Sequence, residues 1–183
     1  MQRIDFEMGA VASLRKRVAE IEEINEDLVA FARGHAGAVS AIHEAVLAAL
    51  AADTPETLMQ VVTGEWPLLL RVDAVAMAWA NASGGFRADR RGLKDVEPRL
   101  IERMASTLSP VTLRLVDRGH PLFGAGGEVV RNEALIRLDG PTVTGLIVLG
   151  QREGAPAEGR HGARLLRFLG SAMSHILERC PPR

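Results

Sequence analysis

Cysteine is nearly absent from this chain of 183 residues: the single one, Cys180, lies almost at the C-terminal end and cannot form an intrachain disulfide. Such usage implies no oxidising compartment. Long apolar runs are missing as well. No segment approaches the ~18 consecutive apolar residues that a membrane span requires. The first residues, MQRIDFEMGA, carry Asp5 and Glu7 where a secretion signal would have an apolar stretch. Excess charge is also lacking, since 22 basic and 23 acidic residues leave a formal net charge of −1. That removes any bulk electrostatic pull towards nucleic acid or membrane. Together these absences predict a cytoplasmic protein with neither nucleic acid nor membrane as partner.

Chemistry-bearing motifs are sparse. His35, His43, His120, His161 and His175 show no pairing with each other, with Cys180 or with carboxylates at the spacing of metal ligands. Gly124-Ala125-Gly126-Gly127 lacks the Gly-Lys-Ser/Thr of a phosphate loop and leads into a strand, so it reads as a flexible loop. Ser13-Leu14-Arg15-Lys16 matches the S-x-x-K of acyl-transfer enzymes, but it opens a helical repeat where no cleft would form around it. With no nucleophile–base or metal set in view, the expectation is a non-enzymatic protein without cofactor.

What is present is an ordinary core. A hydrophobic fraction of 47% and a charged fraction of 25% describe a globular chain, and one of this length buries roughly 70% of its unfolded surface. From Val11 the apolar positions recur at steps of three and four through Leu14, Val18, Ile21, Asn25 and Leu28. Valine falls at the a-type positions and leucine or isoleucine at d, with Asn25 a lone polar a residue, a combination that favours two-stranded coiled coils. The same spacing also fits an amphipathic helix folded onto its own domain. Charges at Arg15, Lys16, Arg17, Glu20, Glu22 and Glu23 favour the intermolecular reading. Residues 1–37 are therefore expected to be a dimerising helix, and 38–183 a separate domain.

Within that domain 38–52 reads as a small-residue helix that packs flat on a sheet. A helix follows from Thr54 towards Leu70, capped by Asp53 or Thr54, with Gly64 and Pro67 kinking or dividing it. Val72 to Ala80 reads as a strand, its alanines at 74, 76, 78 and 80 forming a face under a close-packed helix. Phe86 to Arg90 returns beside it. Pro98 starts a helix with Leu100, Ile101 and Met104 on one side, and Val111 to Val116 is a short strand. Asp117 to Glu128, rich in glycine, is the most loop-like piece. Arg131 to Gly150 then reads as two strands joined at Asp139-Gly140, the second apolar on both faces. Ala163 to Arg179 closes the chain as a helix.

Two groups of residues stand out as candidate sites. Arg87, Arg90, Arg91 and Lys94 cluster around Asp89 and offer guanidinium forks to a phosphate or carboxylate. On the main hairpin Glu133, Leu135 and Arg137 are expected on the outward face, opposite the buried face of Ala134, Ile136 and Leu138.

The element order resembles that of a GAF domain, a relative of the PAS sensor fold. More narrowly the chain is similar to the bacterial domain-of-unknown-function family 484, through Leu14 to Ala32, Ile42-His43, His120-Pro121-Leu122-Phe123-Gly124, Val130 to Leu138, Gly145 to Gly150, and Leu166 to Gly170. It departs from that family at Arg160-His161-Gly162-Ala163. The resemblance implies an α+β fold, an antiparallel sheet flanked by helices and preceded by a coiled-coil helix. It also implies a homodimer of unestablished function and supplies no catalytic residues. In GAF-like folds one sheet face helps line a ligand pocket. Glu133 or Arg137 would then orient a polar small molecule, Trp79 or Phe123 would form an apolar wall, and His120 would lie in the adjoining loop. The multi-cysteine chemistry of GAF-fold methionine sulfoxide reductases does not fit a lone Cys180. The expectation is a homodimeric sensor or regulatory module whose signal would have to pass to a separate protein partner, with an interaction scaffold lacking a small-molecule ligand, its sheet pocket filled by its own side chains, as the alternative.

Overall fold

Alternation in Ala74–Asn81 builds the central strand, β1, whose two faces are both covered because small alanines fill one side and Val75, Met77 and Trp79 the other. In this computed structural model, which describes residues 17, 34, 36–153 and 160–179, the chain divides into two compact units, Met1–Val39 and Ser40–Arg183. The first unit holds the heptad residues Val11, Leu14, Val18, Ile21, Asn25 and Leu28, which lie outside the described residues. The second unit contains the sheet and the helices that cover it.

Helix α1 occupies 36–50. α2 (Pro55–Gln60) begins at Thr54, whose hydroxyl accepts from the Thr57 amide while Thr57 bonds back to Thr54. Such a reciprocal box satisfies two otherwise orphaned N–H groups. The helix then widens into a π-helical turn, Val61–Glu65, and ends as α3 (Trp66–Leu69). The run stays helical from Pro55 to Leu69, with Gly64 inside the π-helical turn and Pro67 in the first turn of α3. β1 is followed by β2 (Gly84–Asp89), β3 (Gly92–Asp95), α4 (Pro98–Ser106), β4 (Val111–Leu115), a 3-10 segment (Pro121–Val129), β5 (Asn132–Asp139), β6 (Thr144–Gln151) and α5 (Arg160–Arg179). The strands form one antiparallel sheet in the order β3-β2-β1-β6-β5-β4.

Two elements differ from the expectation. β3 was not foreseen, because all four of its residues are exposed and carry no apolar alternation. The glycine-rich stretch is not a free loop. Pro121 presets the backbone for a 3-10 turn, and Gly124, at φ 58, reverses the chain inside it. In α4 the inward residues are Ile101 and Ala105, while Leu100 is half exposed.

The sheet has two covered faces. On one, α1, α2, α3 and α5 deliver Ile42, Leu58, Trp66, Leu169 and Met173 onto Met77, Trp79, Ile136, Leu138 and Ile147. The Trp66 indole N–H donates to the Ala45 carbonyl at 2.9 Å, tying α3 to α1. On the other, α4 and the 3-10 segment cover Ala76, Ala78, Ala80, Leu146 and Val148. Among the described residues no helix is long and apolar enough to cross a membrane.

Candidate functional site

The β4–β5 register sets Arg114 directly across from Glu133 on the α4 side of the sheet. The Glu133 side chain is completely buried, so its charge must be met by protein donors. Its Oε1 accepts from Arg114 Nε at 2.7 Å and lies 2.6 Å from Nη2, and its Oε2 accepts the backbone N–H of His120 at 2.7 Å. Glu133 thus bolts the start of the 3-10 segment to the sheet. The sequence expectation of an outward-facing Glu133 is corrected here: the alternation is real, but its polar face lies beneath a second layer.

His120 caps that segment. Its Nδ1 accepts the Leu122 N–H at 3.2 Å, which leaves the proton of the neutral ring on Nε2. Burial holds the His120 pKa below the ordinary 6.5, with the Glu133 charge opposing and Arg114 and Arg87 reinforcing the shift. Arg87 reaches the same segment from β2, donating to the Leu122 carbonyl at 2.9 Å and pairing with Asp89 at 2.7 Å. The other oxygen of Asp89, Oδ1, accepts the Arg91 N–H at 2.7 Å, which fixes the β2–β3 corner.

These struts hold an apolar lid. Phe123 and Val130 rest on Gly150 so closely that a Cβ there would lie 2.8 Å from the Phe123 ring and 2.9 Å from Val130. Leu122, Phe123, Leu135 and Ile101 pack with the alanines into one buried cluster, and Ala76, Ala78 and Ala80 are at most 3% exposed. The alanine face is filled by the chain's own side chains.

Of the residues singled out in sequence, Arg87, His120, Phe123, Glu133 and Leu135 come together at this lid. Trp79 does not. Its ring lies on the opposite face, fully buried and 5.3 Å from that of Phe86, with its indole N–H lacking a partner among the described residues. Arg137 is also apart. It sits four residues along β5 from Glu133, roughly 13 Å, and is tied to the Leu108 carbonyl and to Asp139. Arg114 was missed in sequence, since only the strand register reveals its position opposite Glu133.

A second feature is open to solvent. At the end of the sheet where β1 begins and β6 ends, a cleft of about 970 Å³ runs between the π-helical turn and the 3-10 segment, with Arg90, Arg91 and Arg152 among its lining residues. Among the described residues, no group of three or more His, Cys, Asp or Glu side chains is placed to hold a metal ion.

No family model matches the sequence, and no curated protein matches it either. Solved structures do. The GAF domain of a Pseudomonas syringae pv. tomato protein, described as a sensor histidine kinase, aligns with a TM-score of 0.50 at 14% identity, covering 83% of this chain and 94% of that one. The GAF domain of a phosphoenolpyruvate-protein phosphotransferase from Coxiella burnetii aligns with a TM-score of 0.54 at 12% identity, covering 79% and 95% respectively. With its single antiparallel sheet and flanking helices, this chain has a GAF-like α+β fold.

Proposed function

We propose that this chain is a non-enzymatic GAF-like regulatory module that acts through contact with a partner protein, as a homodimer joined by its N-terminal helix. The observation that carries the reading is the closed alanine face. In a GAF-like fold this is the side where a buried small molecule would sit, and here Ile101, Leu122, Phe123 and Leu135 fill it. Displacing even one of these aliphatic or aromatic groups into water would cost roughly 1.5–3 kcal/mol, which any buried ligand would have to exceed.

The GAF domain of the Pseudomonas protein described as a sensor kinase supports a sensory role by likeness of fold. The resemblance to the bacterial domain-of-unknown-function family 484 supports a dimeric, cytoplasmic protein. The heptad residues Val11 to Leu28 support helix-mediated dimerisation.

Light scattering on the full chain, paired with a thermal-shift screen of metabolites and nucleotides, tests the reading. A dimer with no compound acting at the alanine face is expected. A monomer, or a compound that raises stability by occupying that face, would refute it.

A further inference from the structure

We infer that the cleft at the end of the sheet is an anion-binding site for a small organic molecule that joins a phosphate or carboxylate to an apolar body. This goes beyond the regulatory reading above and does not depend on it. The cleft shares Phe123 and Val130 with the lid of the alanine face but lies on its solvent side, and the alanine face beneath is closed.

The cleft is concave and accessible, and its volume of about 970 Å³ lies at the upper end of the range of small-molecule sites, roughly 300–1,000 Å³. Its cationic wall is the β2–β3 corner. Asp89 builds that corner but does not neutralise it: one carboxylate oxygen is engaged by Arg87 and the other by the Arg91 backbone N–H. Arg90 and Arg91 line the cleft, and their guanidinium groups make no hydrogen bond or ion pair among the described residues. Two adjacent unpartnered forks suit an oxyanion, whose oxygens accept paired N–H bonds.

The third cation is Arg152. Asp73 accepts its backbone N–H at 2.8 Å and stands 3.6 Å from its Nε. At that distance, with both side chains well exposed, the ion pair is weak, and the terminal nitrogens of Arg152 remain available. The apolar requirement comes from Leu68 and Val129, 82% and 44% exposed, which line the same cleft. An inorganic ion would leave them wet, whereas a ligand with an apolar body would cover them.

The probes are phenyl phosphate, phenylacetate, inorganic phosphate and neutral phenol, titrated into the full chain and followed by amide NMR shifts. Phenyl phosphate or phenylacetate is expected to move the amides of Arg90, Arg91 and Gly126 in a saturable way, and the tighter of the two identifies the anion. Replacing both exposed arginines, Arg90→Gln with Arg91→Gln, should weaken that binding about tenfold. Leu68→Ser should weaken phenyl phosphate severalfold and leave inorganic phosphate unchanged. Phenol binding as tightly as phenyl phosphate would overturn the proposal. So would unchanged affinity in the double variant, shifts confined to another surface, or no saturable shift at all.

Discussion

Replacing Glu133 by glutamine removes the charge at the buried end of the strut while keeping its shape. In the native chain the carboxylate accepts from the Arg114 guanidinium and from the His120 amide, each contact at 2.6–2.7 Å. Hydrogen bonds to charged groups contribute roughly 1.5–3 kcal/mol apiece. Glutamine has one acceptor oxygen, so its NH2 group must face either Arg114 or the His120 N–H, donor against donor. Arg114 is 48% exposed and recovers most of its loss from water, whereas the His120 amide is sheltered beneath the lid. The net cost is then about 2–3 kcal/mol. For a chain of this size each kcal/mol shifts Tm by roughly 2–4 °C, giving a fall of about 4–12 °C. Thermal unfolding by circular dichroism reads this, and hydrogen exchange at the His120 amide should quicken along with it. A Tm within about 2 °C of the parent, with unchanged exchange at His120, would refute the strut.

The same contacts set the pH response and the tolerance to added bulk. His120 binds its proton less readily folded than unfolded, so as pH falls below the ordinary 6.5 the unfolded chain takes up the proton first and stability declines. His120→Asn keeps a capping acceptor without the titration, and should flatten that part of the stability–pH curve. An identical slope in denaturant melts would contradict it. Gly145→Ala places a Cβ 2.2 Å from the Ala78 carbonyl oxygen and 2.7 Å from the Trp79 Cα. Since neither backbone atom can step aside, the change should cost at least ~1–3 kcal/mol by chemical denaturation. Deleting residues 1–33 should weaken self-association by light scattering, and Asn25→Val should raise dimer stability or alter partner number. An unchanged oligomer after the deletion would remove the coiled-coil proposal.

Much of the sheet was legible because its cues are local. The alanines of β1, the apolar run of β6, the cap at Thr54 and the helix start at Pro98 each depend on neighbours within a few residues. The alternation of β5 likewise identified which residues share a face. It could not tell that the polar face was covered, because the cover comes from α4 and from a segment that composition alone marks as loop. Glu133 was recognised for its position and misjudged for its exposure. Its partner Arg114 lies 19 residues away in sequence and is brought opposite only by strand register. Trp79 was grouped with Phe123 as an aromatic wall, yet the pleat sends it to the other side of the sheet. The arginines around Asp89 looked like one cluster, but the structure separates them: Arg87 serves the lid, while Arg90 and Arg91 line the cleft.

The most direct test of the closed face is NMR of the Ala76, Ala78 and Ala80 methyl groups in the full chain, recorded while metabolites and nucleotides are added. A face filled by Ile101, Leu122, Phe123 and Leu135 predicts that all three methyl resonances stay in place, including when a compound binds in the arginine-lined cleft. A compound that shifts all three methyls and raises Tm would show that the lid opens to admit a ligand, and would contradict the proposal that this module works by contact alone.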